Sequence, residues 1–144
     1  MEVPNENQSF DLLINEKKLI NQSKHFLLDL YGCDYEKLND ESFLRCTLNN
    51  AAKLANATVL NLISNKFEPQ GVTAIALLAE SHVSIHTWPE SHFSAVDIYT
   101  CGHNMRPEIA SKFFIKALKA EEHILRIIKR NPPAAVNNQI GKAF

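Results

Sequence analysis

The chain has 144 residues, of which 45% are hydrophobic and 22% are charged. This length and composition predict one globular domain with its own core, because two ordinary domains need a longer chain. The formal net charge of −1 argues against general binding to nucleic acid or to an anionic membrane surface. No apolar run reaches the ~20 residues that span a bilayer. The acidic, polar amino terminus lacks the basic start and apolar middle of a secretory signal, so we expect a cytoplasmic protein.

The chain divides into an extension over residues 1–22, a domain over residues 23–130 and a tail over residues 131–144. A short amphipathic helix from Phe10 to Ile20 is expected in the extension. The tail carries Pro132-Pro133 and is expected to be irregular.

Within the domain, hydrophobic patterns predict a strand, a helix, four strands, a second helix and a closing strand. In chain order these cover residues 25–30, 40–56, 58–64, 72–78, 83–88, 93–99, 107–119 and 124–128. Asp40 is suited to cap the first helix, and Pro107 suits the first turn of the second. Short turns between consecutive strands imply an α+β two-layer sandwich, a mainly antiparallel sheet with two helices on one face.

The other face of this sheet needs cover as well. Five isoleucine and leucine residues of the strands cannot all lie beneath two helices: Ile75, Leu77, Ile85, Ile98 and Ile127. A large exposed apolar face predicts self-association.

Cysteines are few and scattered: Cys33, Cys46 and Cys101, with no C-x-x-C pair. An odd, widely spaced set argues against a disulfide framework and against a thiol-based zinc site. We expect Cys33 and Cys46 to pack as small hydrophobic residues.

The densest group of reactive side chains lies between Glu80 and Gly102. It contains three motifs: Glu80-Ser81-His82, Ile85-His86-Thr87-Trp88-Pro89-Glu90 and Thr100-Cys101-Gly102. This segment resembles the self-cleavage and active-site region of the small bacterial-type S-adenosylmethionine decarboxylases, and the likeness runs from about Lys24 to Arg130. In that family two protomers stack their sheets into an α-β-β-α sandwich, with active sites near the interface.

The resemblance implies a proenzyme that cuts itself between Glu80 and Ser81, giving residues 1–80 and 81–144. The Ser81 hydroxyl would attack the Glu80 carbonyl and form an ester. Elimination and hydrolysis would then turn Ser81 into a pyruvoyl cofactor, with release of ammonia. In the family this group forms a Schiff base with the substrate amine and accepts the electrons left when CO2 departs.

Other family roles fall on matching residues. His86 matches the histidine that acts as base in processing. Thr73 matches a serine that assists cleavage, with an added methyl group that stiffens the side chain. Cys101 matches the proton donor to the substrate's α-carbon. Strand alternation sends Ser81 and His86 to opposite faces, so a bulge, a bend or a meeting of strand ends is expected between them.

For the substrate, Phe67 matches the aromatic ring that stacks on adenine, and Glu90 matches the carboxylate that holds the ribose hydroxyls. Both imply S-adenosylmethionine, decarboxylated to the aminopropyl donor of spermidine synthesis by a homodimer or larger assembly of cleaved chain pairs. The pattern departs at Ser91-His92-Phe93-Ser94, where relatives usually carry a glycine followed by an aromatic residue. His92 and Ser94 are expected to affect pocket shape or turn geometry.

The same motifs allow two alternative functions. One is a pyruvoyl-dependent ornithine or arginine decarboxylase on the same scaffold, and another is a non-cleaving homologue that regulates a partner subunit. A zinc site at His82, His86, Cys101 and His103 is disfavoured, because strand residues four apart have Cα atoms ~13 Å apart. We therefore predict no metal site. His82 and His92 are assigned to packing or surface hydrogen bonding.

Overall fold

The computed structural model describes residues 23–101, residues 104–130 and residue 141. These residues form a six-stranded sheet in which every neighbouring pair of strands is antiparallel. The strands are β1 (Ser23–Tyr31), β2 (Val59–Lys66), β3 (Val72–Leu78), β4 (His82–Trp88), β5 (Phe93–Thr100) and β6 (Glu122–Arg130). The helices are α1 (Tyr35–Leu38), α2 (Glu41–Leu54) and α3 (Pro107–Ala117), and a 3-10 turn spans Pro89–Ser91. The α+β prediction is confirmed, with the short helix α1 added to the two predicted helices.

The strand order is β2-β3-β4-β5-β1-β6. Strands β2 to β5 follow one another through short turns and therefore pair as consecutive neighbours. Strand β1 then pairs with β5, and β6 closes the sheet at the far side of β1. The predicted helix in the amino-terminal extension and the predicted carboxyl-terminal arm lie outside the described residues.

The core lies between the sheet and its helices. Alternate residues of each inner strand point toward α2 and α3, and Ile85 and Ile98 are fully buried there. Burying one such side chain contributes about 1.5–3 kcal/mol. The largest other buried side chains are Phe26, Leu28, Leu30, Leu38, Leu44, Leu48, Phe114 and Leu118.

Helix α2 begins where the sequence predicted. The Asp40 carboxylate accepts a hydrogen bond from the Phe43 backbone N–H at 2.9 Å, which satisfies one free donor of the first turn. Asp34 caps α1 in the same way, accepting from the Lys37 N–H at 3.0 Å. Pro107 is the first residue of α3, where its missing N–H costs no hydrogen bond.

We call the sheet surface turned away from the helices the open face. Ile75 and Leu77 lie on it, and Leu77 is 51% exposed. Ile127 pairs with Phe26 and therefore shares the helix side, but it lies on the edge strand β6 and stays half exposed. Other exposed apolar side chains of the open face are Tyr31, Ile63, Trp88, Ile124 and Ile128. No helix in the described part of the chain is long and apolar enough to cross a membrane.

Candidate active site

Ser81 lies in the turn between β3 and β4, immediately before β4 begins. The Ser81 carbonyl accepts from the Leu78 N–H at 2.9 Å, which closes the turn tightly. Thr58 fixes it from the side: its carbonyl accepts from Ala79 N–H at 3.0 Å, and its N–H donates to the Glu80 carboxylate at 3.2 Å. The Glu80–Ser81 peptide bond is thus held in place at the edge of the domain, with Ser81 only partly buried.

Cys101 lies at the same end of the sheet. It follows the last residue of β5, and the pairing of His82 with Tyr99 aligns the start of β4 with the end of β5. The half-buried Cys101 thiol donates to the Ser23 hydroxyl, with Sγ and Oγ 3.6 Å apart. We call the group of Glu80, Ser81 and Cys101 the serine end. The motif residue Gly102 and His103 lie outside the described residues.

Thr73 and His86 form a hydrogen-bonded pair nearer the other end. They are direct cross-strand partners on β3 and β4, and Thr73 Oγ1 lies 2.9 Å from His86 Nδ1. The His86 ring also lies beside Trp88, which packs on Phe93 with ring centres 5.3 Å apart. The predicted processing base therefore has a fixed orientation on the open face.

Phe67 and Glu90 lie at the same end as Thr73 and His86. Phe67 follows β2, where its N–H donates to the Gly71 carbonyl at 2.8 Å, and its ring is 49% exposed. Glu90 is exposed in the 3-10 turn that follows β4. We call the group of Phe67, Thr73, His86 and Glu90 the histidine end.

The serine end and the histidine end are well separated within one chain. Ser81 and His86 are five residues apart along an extended segment, which corresponds to about 16 Å. The ladders on both sides of β4 run without a break from His82 to His86. No bulge between His82 and His86 therefore brings Ser81 and His86 together. Strand alternation does not apply to Ser81, because this residue lies before β4 begins.

Thr87 is a supporting residue that the sequence did not single out. Its buried hydroxyl accepts from the Val72 N–H at 2.9 Å and donates to the Leu38 carbonyl at 2.7 Å. These bonds tie β4 to β3 and to α1 next to His86. A buried threonine on a predicted central strand was the available indication, because a buried hydroxyl has to find partners.

His92 explains one departure from the family pattern. Its backbone is in the left-handed region with φ 50°, where glycine is normally favoured. The ring compensates, since His92 Nδ1 lies 2.9 Å from the Cys33 carbonyl, and the Cys33 N–H donates back to the His92 carbonyl at 2.9 Å. The other departure, Ser94, is buried and donates to the His86 carbonyl at 3.0 Å. His92 therefore affects turn geometry, which is one of the two effects that the sequence predicted, the other being a change of pocket shape.

The three cysteines have different surroundings. Burial raises the pKa of the Cys33 thiol from 9.0 to about 11, which keeps it protonated and unreactive. The packing expected for Cys46 is wrong, because this side chain is exposed on α2, whereas the packing expected for Cys33 is confirmed. Cys101 is half buried, and all three cysteines are free thiols. Within residues 23–101 and 104–130, no group of three or more His, Cys, Asp and Glu side chains is placed to hold a metal ion.

Comparison with known proteins identifies the family of the chain. Residues 24–131 match the family model described as S-adenosylmethionine decarboxylase. An S-adenosylmethionine decarboxylase proenzyme of Prochlorococcus marinus (strain MIT 9313) is 57% identical over 113 residues, which cover 78% of this chain and 90% of that protein. The corresponding proenzyme of the archaeon Methanococcus maripaludis is 44% identical over 107 residues, covering 74% of this chain and 88% of that protein.

A solved structure gives the same result. The crystal structure of the adenosylmethionine decarboxylase from Aquifex aeolicus superposes with a TM-score of 0.74 at 36% identity, covering 83% of this chain and 98% of that one. The chain therefore belongs to the S-adenosylmethionine decarboxylase family. The decarboxylase function predicted from the sequence is confirmed, whereas the ornithine, arginine and regulatory alternatives find no support in these comparisons.

Proposed function

We propose that the chain is a self-cleaving, pyruvoyl-dependent decarboxylase that acts on S-adenosylmethionine. The observation that carries this proposal is the position of Ser81: a serine hydroxyl next to a peptide bond that a hydrogen-bonded turn holds at the domain edge. Relatives that are 57% and 44% identical carry the name proenzyme, which agrees with a chain that must be processed.

Cleavage begins when Ser81 Oγ attacks the Glu80 carbonyl carbon. The C–N bond breaks, and an ester links Glu80 to Ser81 with a free Ser81 amine. His86 then removes the Ser81 Cα proton, and elimination expels the Glu80 carboxylate as the new end of the 1–80 fragment. Water converts the remaining dehydroalanine to the pyruvoyl group, with loss of ammonia.

His86 reaches Ser81 through dimerisation in this proposal. About 16 Å separates the two residues along one chain, so a complete site needs a second chain. The open face carries exposed apolar side chains such as Leu77 and Trp88, which a second sheet would cover. A two-fold axis across stacked open faces sets the serine end of one protomer over the histidine end of the other, giving two equivalent sites.

The residues of this shared site have distinct tasks. The pyruvoyl group supplies an electron-accepting carbonyl for the substrate's α-amine. The Cys101 thiol donates the proton that replaces CO2 on the substrate's α-carbon, and its half-buried position gives it access. Phe67 presents an exposed ring for the adenine, and Glu90 an exposed carboxylate for the ribose hydroxyls. The product is the aminopropyl donor for spermidine synthesis.

We place the enzyme in the cytoplasm. Its exposed cysteine, Cys46, is a free thiol, as expected in a reducing compartment.

Intact mass of the purified protein tests the proposal directly. We expect fragments 1–80 and 81–144, and the second should be lighter by one ammonia than the same fragment with an unmodified serine at its start. A Ser81→Ala variant should stay whole. Purified protein should release CO2 from S-adenosylmethionine and not from ornithine or arginine. A wild-type chain that remains uncut after long incubation would overturn the proposal.

A further inference from the structure

The Ser81 hydroxyl has an imidazole beside it that the sequence left without a role. Ser81 Oγ lies 3.5 Å from Nδ1 of His82, the first residue of β4. His86 Nδ1 is instead engaged by Thr73 at 2.9 Å. Catalytic hydrogen bonds are often long before the reacting geometry forms. The distance between Ser81 Oγ and His82 Nδ1 is therefore compatible with His82 acting as the base that removes the hydroxyl proton.

Neighbouring rings hold the His82 side chain on the open face. The His82 ring lies 5.7 Å from the Tyr99 ring and 6.3 Å, edge on, from the His25 ring. His25 and Tyr99 also contact each other, with ring centres 5.5 Å apart. The guanidinium of Arg130 covers Tyr99 at 5.5 Å. A ring packed in this way loses little further freedom when it accepts a hydrogen bond.

A carboxylate completes the group. Asp97 Oδ1 lies 3.2 Å from His25 Nε2, and Asp97 Oδ2 accepts from the Ser84 hydroxyl at 3.4 Å. Asp97 thus fixes His25, and His25 in turn packs against His82. These contacts fix the rings beside His82, whose Nδ1 lies 3.5 Å from Ser81 Oγ.

We propose that His82 is a catalytic residue of the first step of self-cleavage. His82 Nδ1 takes the Ser81 Oγ proton as Oγ bonds to the Glu80 carbonyl carbon. The same nitrogen then gives that proton to the Ser81 nitrogen as the C–N bond breaks, so the step consumes no proton and needs no other reactant. His86 acts afterwards, on the Ser81 Cα proton. The inference rests on the proposed self-cleavage and assigns its two proton abstractions, from Ser81 Oγ and from Ser81 Cα, to two different histidines.

Hydroxylamine distinguishes the two histidines, because it cuts an ester and leaves a peptide bond intact. In a His86→Ala variant the ester should accumulate, and hydroxylamine should split the chain at Ser81. In a His82→Phe variant, which keeps a ring against Tyr99 and His25, cleavage should slow by at least about 100-fold. That variant should also resist hydroxylamine. His123→Ala, at an exposed histidine of β6, is the matched control and should mature as the wild type does.

A His82→Ala variant separates chemistry from folding, since free imidazole should restore part of its cleavage rate without shifting its thermal unfolding. Wild-type maturation rates in His82→Phe would overturn this inference and leave the cleavage proposal standing. So would an ester trapped in His82→Phe, because the first step would then not need the imidazole. Failure of imidazole to rescue His82→Ala would also count against it. If the wild type itself stays uncut, the cleavage proposal fails first.

Discussion

Thr73 and His86 stand directly opposite each other on β3 and β4, with Thr73 Oγ1 and His86 Nδ1 2.9 Å apart. Bonding at Nδ1 leaves Nε2 as the ring nitrogen that can face a second protomer across the open face. We therefore expect the Thr73 hydroxyl to orient His86, a task that any correctly placed hydroxyl can perform.

Substitutions of Thr73 test this task. Thr73→Ser keeps the hydroxyl and should mature within a few-fold of the wild type. Thr73→Val keeps the shape and removes the hydrogen bond, which contributes about 1 kcal/mol. Conversion of full-length chain to fragments, followed on gels, should therefore slow about 5- to 10-fold for Thr73→Val. Equal rates for the two variants would show that the hydroxyl has no part in maturation.

Cys101 should matter after cleavage rather than during it. Cys101→Ala is expected to give normal fragments, while CO2 release falls about 100-fold for loss of a proton donor. Without the thiol, the proton can reach the cofactor carbon instead of the substrate's α-carbon. This should convert the pyruvoyl group at residue 81 to alanine, which mass spectrometry of the 81–144 fragment detects. The matched control is Cys46→Ala, at an exposed cysteine of α2, which should lose nothing. A fully active Cys101→Ala enzyme would remove the thiol from the mechanism.

A mixed dimer tests whether two chains share each site. Ser81→Ala retains His86, and His86→Ala retains Ser81, so a heterodimer of the two contains one complete site. Neither variant should be cleaved when it is expressed alone. When the two are co-expressed, the heterodimer should rescue cleavage, and the cut chain should always be the His86→Ala one. Leu77→Asp, on the open face, should give monomers by sedimentation and abolish this rescue, whereas Leu54→Asp at the end of α2 should not. Absence of rescue in a proven heterodimer would argue for a site within one chain.

His92 is expected to tolerate glycine and to reject a β-branched residue. His92→Gly relieves left-handed strain of about 1 kcal/mol and loses one hydrogen bond of similar size. Its free energy of unfolding in urea should therefore stay within about 1 kcal/mol of the wild type. His92→Val keeps the strain and loses the bond to Cys33, so it should be less stable by about 1–3 kcal/mol. Equal stability of the two variants would contradict this account.

The Cys33 thiol predicts a pH dependence of stability at alkaline pH. Its pKa is raised by burial from 9.0 to about 11, so the unfolded chain releases the proton first. The folded state then holds more protons, and the free energy of unfolding should fall as pH rises between these values. The contribution is complete below the lower value and lost above the higher one. Urea denaturation of the wild type and of Cys33→Ala between pH 9 and pH 11 should show a steeper fall in the free energy of unfolding for the wild type. Parallel curves would contradict a contribution from the Cys33 thiol.

Much of the fold was predictable because its determinants are local. The turn residues before Val72 and the apolar run to Leu78 predicted β3 with the bounds that the structure has. Asp40 predicted the start of α2, since a capping carboxylate acts on an N–H only three residues away. Helix α1 was missed because four residues are too few to show a helical period. Strand alternation predicted that Ile85 and its neighbours along β4 point to opposite faces of the sheet. Packing against α2 and α3 decided which of the two faces is buried.

The sequence by itself determined the family and the order of strands along the chain, and it indicated the candidate reactive residues, because motifs and periodicity are properties of neighbouring residues. Only the tertiary structure decided that no bulge brings Ser81 to His86 and that His25 and Tyr99 lie beside His82, with Asp97 holding His25. Those relationships depend on which strands pair and in what register, for example His82 with Tyr99. Strand register brings together residues that are distant in the chain, and no local pattern encodes that choice.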